Sequence, residues 1–158
     1  QLALAAKPGA NGLTLLPYFE GERTPNRPKA AGVFAGMNLN NLNQEDIARA
    51  MVEGMLAGLA DAVDALVALG VGVNRILLIG GAAKNPAVPV IASALFGREV
   101  LVPPAGEYVA DGAAKQAAWA LLGEMPRWDL GEVTHHYCVA SPDVMQRYKE
   151  LKSNTESW

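Results

Sequence analysis

Ile76-Leu77-Leu78-Ile79-Gly80-Gly81-Ala82-Ala83-Lys84-Asn85 passes from an apolar run directly into paired glycines. A short apolar run that stops at glycine reads as a buried strand, expected here over residues 75–79. The turn should feed a helix starting at 86 or 87 and running to 95, with Gly97 as its stop. Glycine has no Cβ, so a flat ligand can lie against the backbone of Gly80, Gly81 and Ala82. Peptide N–H groups at a helix start can meet polar ligand atoms. The Asn85 amide both donates and accepts, which suits a ribose hydroxyl or an adenine edge. A tight strand-to-helix turn without any ligand fits the same residues, so paired glycines alone leave both readings open. Two commoner nucleotide motifs are absent. There is no G-x-x-x-x-G-K-[ST], and Gly70-Val71-Gly72 precedes the strand and lacks a third glycine.

Working outward, the chain alternates strands and helices. Residues 1–12 read as irregular, with a turn cluster at Pro8-Gly9-Ala10-Asn11-Gly12. Residues 13–19 are a short apolar run with Pro17 inside it, which fits an edge strand or a strand ending at Leu16. Residues 21–28 are a polar loop stiffened by Pro25 and Pro28, and 31–37 read as a second strand. A long helix is expected over 43–69, capped by Asn43 and stopped by Gly70. Its polar stripe is Asp46, Arg49, Glu53, Asp61 and Asp64. Ile47, Met51, Met55, Leu59, Val63 and Leu66 occupy the other side, which the pattern marks as the core face. Gly54 and Gly58, one turn apart, cost helix stability and point to close packing against another backbone. A strand over 99–102 and a helix over 109–122 follow. Beyond residue 124 the chain turns polar and irregular, with a surface helix expected over 141–151. This order implies an α/β fold with helices on the faces of a sheet.

Bulk composition bounds the function. A chain of 158 residues with 51% apolar residues can form one domain with a core. A formal net charge of −3 argues against sequence-independent nucleic-acid binding, which needs a basic footprint. No uncharged run reaches the roughly 18–20 residues of a membrane-spanning helix. Cys138 is the single cysteine, so an internal disulfide is excluded and a reducing cytoplasm is the expected compartment.

Three segments together resemble a known family. Gly32-Val33-Phe34-Ala35-Gly36-Met37, an eight-residue gap, and Asp46-Ile47-Ala48-Arg49-Ala50-Met51-Val52-Glu53 fit the second signature of the FGGY carbohydrate kinases at every constrained position. That pattern ends polar, apolar, two free positions, small, apolar, apolar, acid. The stretch 76–85 resembles the adenosine motif of the family's C-terminal lobe. Tyr108-Val109-Ala110-Asp111-Gly112-Ala113-Ala114-Lys115 resembles its Gly-Ala-Ala helix. Leu16-Pro17-Tyr18 and Gly21-Glu22-Arg23-Thr24-Pro25 look most like the xylulokinase branch. The likeness extends over roughly residues 11–130.

The resemblance implies an actin-like, ribonuclease H-like lobe, with a mixed sheet, helices on its faces and its first strands lacking. Residues 1–130 would form that incomplete lobe and 131–158 a C-terminal tail. In the family, Mg2+ and ATP phosphorylate a sugar hydroxyl after an aspartate takes its proton. The xylulokinase reaction turns D-xylulose into D-xylulose 5-phosphate. That aspartate and the sugar contacts lie upstream of everything present here, so no catalytic residue is assigned to this chain. Gly80, Gly81, Ala82 and Asn85 carry over as the adenosine contacts. The implied partners are ATP, a ketose and the N-terminal lobe of the same enzyme. An exposed sheet edge would favour a homodimer. A non-catalytic actin-like nucleotide-binding or assembly domain is the alternative, and an unrelated Rossmann-like module is disfavoured by the missing fingerprint.

The remaining candidates read as structural. Glu20 and Glu22 suit a solvated loop or a bridge to Arg23. Asp46 and Glu53 suit a solvated helix face. Lys84 can reach a phosphate but more simply points to water. Arg23, Arg27 and Lys29 read as a solvated basic loop. His135, His136 and Cys138 lack the ligand number and spacing of a zinc site.

Overall fold

Asn43 starts the longest element as its sequence requires. In a computed structural model describing residues 1–129 and 131–157, the Asn43 Oδ1 accepts the Asp46 N–H at 2.9 Å. Helix α2 runs over Gln44–Ala68, and Gly70 follows at φ 83°. Before it come a short helix α1 (Leu2–Ala5) and two strands, β1 (Thr14–Leu16) and β2 (Val33–Ala35). These strands pair antiparallel, Leu15 opposite Phe34. After α2 come β3 (Ile76–Leu77), α3 (Ala87–Phe96), β4 (Val100–Val102), α4 (Tyr108–Leu122), β5 (Thr134–His136) and α5 (Pro142–Asn154).

The second sheet has the order β3-β4-β5, with β3 parallel to β4 and β4 antiparallel to β5. It is therefore mixed, with α3 making the crossover between its parallel pair. Gly97 ends α3 at φ 59° and Gly123 ends α4 at φ 77°. Pro89 is tolerated in α3 because it sits in the first turn, where its missing N–H has no intrahelical partner to lose. Strand β3 is shorter than expected and less buried, with Ile79 48% exposed beyond its end.

The main apolar core joins α2, α3 and α5 with β1 and β4, while α4 buries no residue. Leu56 and Ala60 of α2, Ile91 and Leu95 of α3, Leu16, Val100, and Met145 and Tyr148 of α5 belong to it. Residues expected as a polar tail thus supply both a strand and a core helix. Their polar average hid an amphipathic α5, whose Val144, Met145 and Tyr148 recur at helical spacing. Burial beside Tyr18 pushes the Tyr148 hydroxyl above the usual tyrosine range. Arg27, read as loop charge, instead donates to the Lys152 carbonyl at 2.9 Å and lies over the Tyr18 ring, holding the loop to α5.

The face of α2 is also reversed from expectation. Asp46, Arg49 and Glu53 are buried, whereas Met51, Met55, Leu59 and Leu66 are exposed. The N-terminal segment explains this, because it brings polar partners to the helix. The Glu53 Oε1 accepts from Arg49 Nε at 2.6 Å and from the Gly9 N–H at 2.9 Å. Arg49 also donates to the Ala3 carbonyl, and Asp46 accepts from Asn11 and Asn43. Signature positions Asp46, Ala50 and Glu53 therefore cap, pack and pin this helix.

Gly54 lies on the same face, against β1. A Cβ there would stand 2.5 Å from the Leu15 carbonyl oxygen. Gly54→Ala should therefore destabilise the chain by about 1–3 kcal/mol, despite alanine's better helix propensity. Urea unfolding measures this, and an alanine variant as stable as the parent would contradict the packing.

Candidate functional site

Strand β3 leads into the paired-glycine turn. Leu78 stays tied to the sheet, its N–H donating to the Leu101 carbonyl at 2.9 Å. The chain then breaks at Gly80, with φ 94° and ψ −177°, a conformation essentially reserved for glycine. Residues Gly81–Lys84 form a single 3-10 turn. Asn85 follows, and its Oδ1 accepts the Ala87 N–H at 3.0 Å, closing the start of α3. The turn is exposed; among its residues only Ala83 is half-buried.

A cleft of about 550 Å³ opens beside this turn. Gly80, Gly81 and Lys84 line one wall, and the segment 103–108 lines the other. Both walls leave the carboxyl ends of parallel strands, β3 and β4, where open α/β sheets place their ligand crevices. Lys84 and Glu107 are the charged side chains among the described lining residues, and Tyr108 is the aromatic one. Ala82 and Asn85 do not line this cleft; Asn85 serves as the cap just described.

The two glycines differ in what they demand. Gly80 is fixed by its backbone conformation, since a side chain at that φ is strained. Gly81 has no such requirement, and a Cβ built on it meets nothing within 4 Å. Neither backbone nor packing calls for glycine at position 81. The bare backbone there faces open space in the cleft.

The Pro103-Pro104 wall reads in the sequence only as a strand stop. Its role follows from topology: β3 and β4 are parallel, so their two exit loops must face each other. The rule for parallel strands could have found it. Asp111 and Gly112 of the Gly-Ala-Ala helix lie on an adjoining cavity of about 360 Å³, which shares Tyr108 with the cleft. The other candidates have local duties. Glu22 accepts the N–H groups of Arg23 and Thr24, and His135 pairs with Glu99 at 2.8 Å.

The C-terminal domain of the FGGY family of carbohydrate kinases matches residues 1–121. The chain belongs to that family. It is 39% identical over 131 residues to a xylulose kinase from Streptomyces rubiginosus, covering 79% of this chain and 27% of that protein. It is 35% identical to the xylulose kinase of Escherichia coli K12, covering 99% of this chain and 32% of that one. The solved xylulose kinase from Bifidobacterium adolescentis superposes with a TM-score of 0.80 at 46% identity, over 96% of this chain and 30% of that structure. The chain thus spans about 30% of the length of these relatives. Its mixed sheet and flanking helices are part of the actin-like fold of FGGY sugar kinases. The expected family, fold and likeness to xylulokinases are all borne out.

Proposed function

We propose that this chain is the ATP-binding part of a sugar kinase, and that the adenosine end of ATP lies in the cleft beside Gly80 and Gly81. The observation that carries this is Gly81, a glycine that the fold does not need, facing open space between the exits of two parallel strands. A nucleotide lying against that backbone gives the glycine a reason. Ala82 and Asn85 are proposed as further contacts on the family likeness; Asn85 would use its amide nitrogen, because its oxygen holds Ala87.

D-xylulose is the proposed acceptor in the whole enzyme, because the relatives cited are xylulose kinases. The product would be D-xylulose 5-phosphate, which assigns the enzyme to xylose metabolism. ATP as co-substrate makes the cytoplasm the proposed compartment. No described helix is long and apolar enough to cross a membrane.

The residues present do not fit a Mg2+ site of their own. No group of three or more His, Cys, Asp or Glu side chains is gathered among the described residues, and the cleft's one carboxylate is Glu107. The proposed metal would be held by the nucleotide phosphates and by other parts of the enzyme. This chain's contribution is to bind and orient the nucleotide. The remainder of the enzyme would bind the sugar and remove its hydroxyl proton.

The test is a coupled ADP-release assay of the full-length enzyme against D-xylulose, D-ribulose, glycerol and gluconate. The expected outcome is a kcat/KM for D-xylulose above the others. Preference for glycerol or gluconate would overturn the proposed acceptor. Sedimentation of the 158-residue chain tests the proposed homodimer. Strand β3 has β4 on one side and no partner among the described residues on the other. A strictly monomeric chain would remove that part of the proposal.

A further inference from the structure

Tyr108 opens α4 and is held in place before any ligand arrives. Its hydroxyl donates to the Pro104 carbonyl. Gly106 lies against the ring, since a Cβ built at 106 would stand 3.7 Å from Cε2 and Cζ. The loop between β4 and α4 therefore wraps its own aromatic side chain. That ring is no core residue: it is half-buried and lines both the nucleotide cleft and the adjoining cavity of Asp111 and Trp128. The cleft is thus bounded by bare backbone at Gly81 on one wall and a fixed ring on the other. Such walls suit a flat heteroaromatic group, because a fixed ring stacks on it at little cost in lost freedom.

We propose that the Tyr108 ring packs on the base of the bound nucleotide and sets a preference for purine over pyrimidine triphosphates. This rests on the reading of the cleft as the nucleotide site. The larger surface of a purine gains more from stacking than a pyrimidine, and the hydrogen bond to Pro104 keeps the ring from turning away. Tyr108 touches the base only, so it should affect nucleotide affinity and leave phosphoryl transfer to other groups.

The experiment uses the full-length kinase with Tyr108→Ala, Tyr108→Leu and Tyr108→Phe, and Gly81→Val as the reference for the site. KM for ATP, kcat, and the ratio of kcat/KM for ATP over CTP are measured. The Ala and Leu variants should each raise KM for ATP about tenfold, keep kcat within about twofold and narrow the ATP-to-CTP ratio. Tyr108→Phe, which keeps the ring, should remain within about threefold of the parent. If Gly81→Val raises KM for ATP while Tyr108→Ala and Tyr108→Leu change neither KM nor the ratio, the role of Tyr108 is overturned and the site stands. If Tyr108→Phe is as impaired as Tyr108→Ala, the hydroxyl's hold on the loop matters and stacking is overturned. If no variant moves KM for ATP, the nucleotide site itself falls.

Discussion

Glu53→Ala should destabilise the protein by about 3–5 kcal/mol, the largest loss expected from any single side chain here. Glu53 is 3% exposed and Arg49 5% exposed, and their charges meet at 2.6 Å. Removing the carboxylate strands a buried guanidinium and also leaves the Gly9 N–H without its acceptor. A loss of that size is a large fraction of the roughly 5–15 kcal/mol that holds an ordinary domain together. Arg49→Met should cost less than Glu53→Ala, because Glu53 would keep the Gly9 N–H. A double-mutant cycle read by urea unfolding should return a coupling energy of about 1–3 kcal/mol between the two positions. Independent, additive losses would show that the pair does not act as a unit.

The 158-residue chain alone should release no ADP above background when given ATP, Mg2+ and D-xylulose. A phosphoryl acceptor needs a base within hydrogen-bond reach of its hydroxyl, and such a base is worth about 10²–10⁴-fold in rate. Holding the two substrates in line supplies much of the remaining acceleration. The cleft of this chain offers one carboxylate, Glu107, on the wall proposed for the adenosine end. The chain spans about 30% of the xylulose kinases it resembles. ATP affinity of the isolated chain should be correspondingly weak. Turnover by the chain, or micromolar ATP binding in calorimetry, would mean that the catalytic or phosphate contacts lie within these residues.

Much of this was legible in the sequence, and the exceptions share a cause. Asn43, Gly70, Gly97 and Gly123 mark helix ends by local chemistry, and each does so in the structure. The family pattern from Gly32 to Glu53 was legible as a pattern, but its physical meaning was not. Gly36 has φ 76°, and a Cβ there would stand 2.4 Å from the Gly12 carbonyl oxygen. Glu53 answers Arg49 and Gly9. Both facts depend on the first twelve residues, which carry no periodic signal. Periodicity along α2 treats charge as a mark of solvent, so it turned Asp46, Arg49 and Glu53 outward and Met51, Met55 and Leu59 inward. Long-range partners reverse that assignment, and no window along one helix contains them. Helix α5 was expected as a surface helix, but its buried face and strand β5 were missed for a similar reason: polar composition obscured three core residues and one strand pairing. At the cleft, the glycine turn was legible because its chemistry is local. The opposite wall, Pro104 to Tyr108, required knowing that β3 and β4 run side by side.

The central claim, that nucleotide lies against the Gly81 backbone, is tested most directly by KM values of Gly81→Val in the full-length kinase. The added Cβ meets open space in the free protein, so the melting temperature should stay close to the parent value. It occupies the cleft, so KM for ATP should rise about tenfold or more, equivalent to about 1.4 kcal/mol or more of lost binding, with KM for the sugar unchanged. A variant with the parent's KM for ATP and the parent's stability would contradict the placement of the nucleotide at this turn.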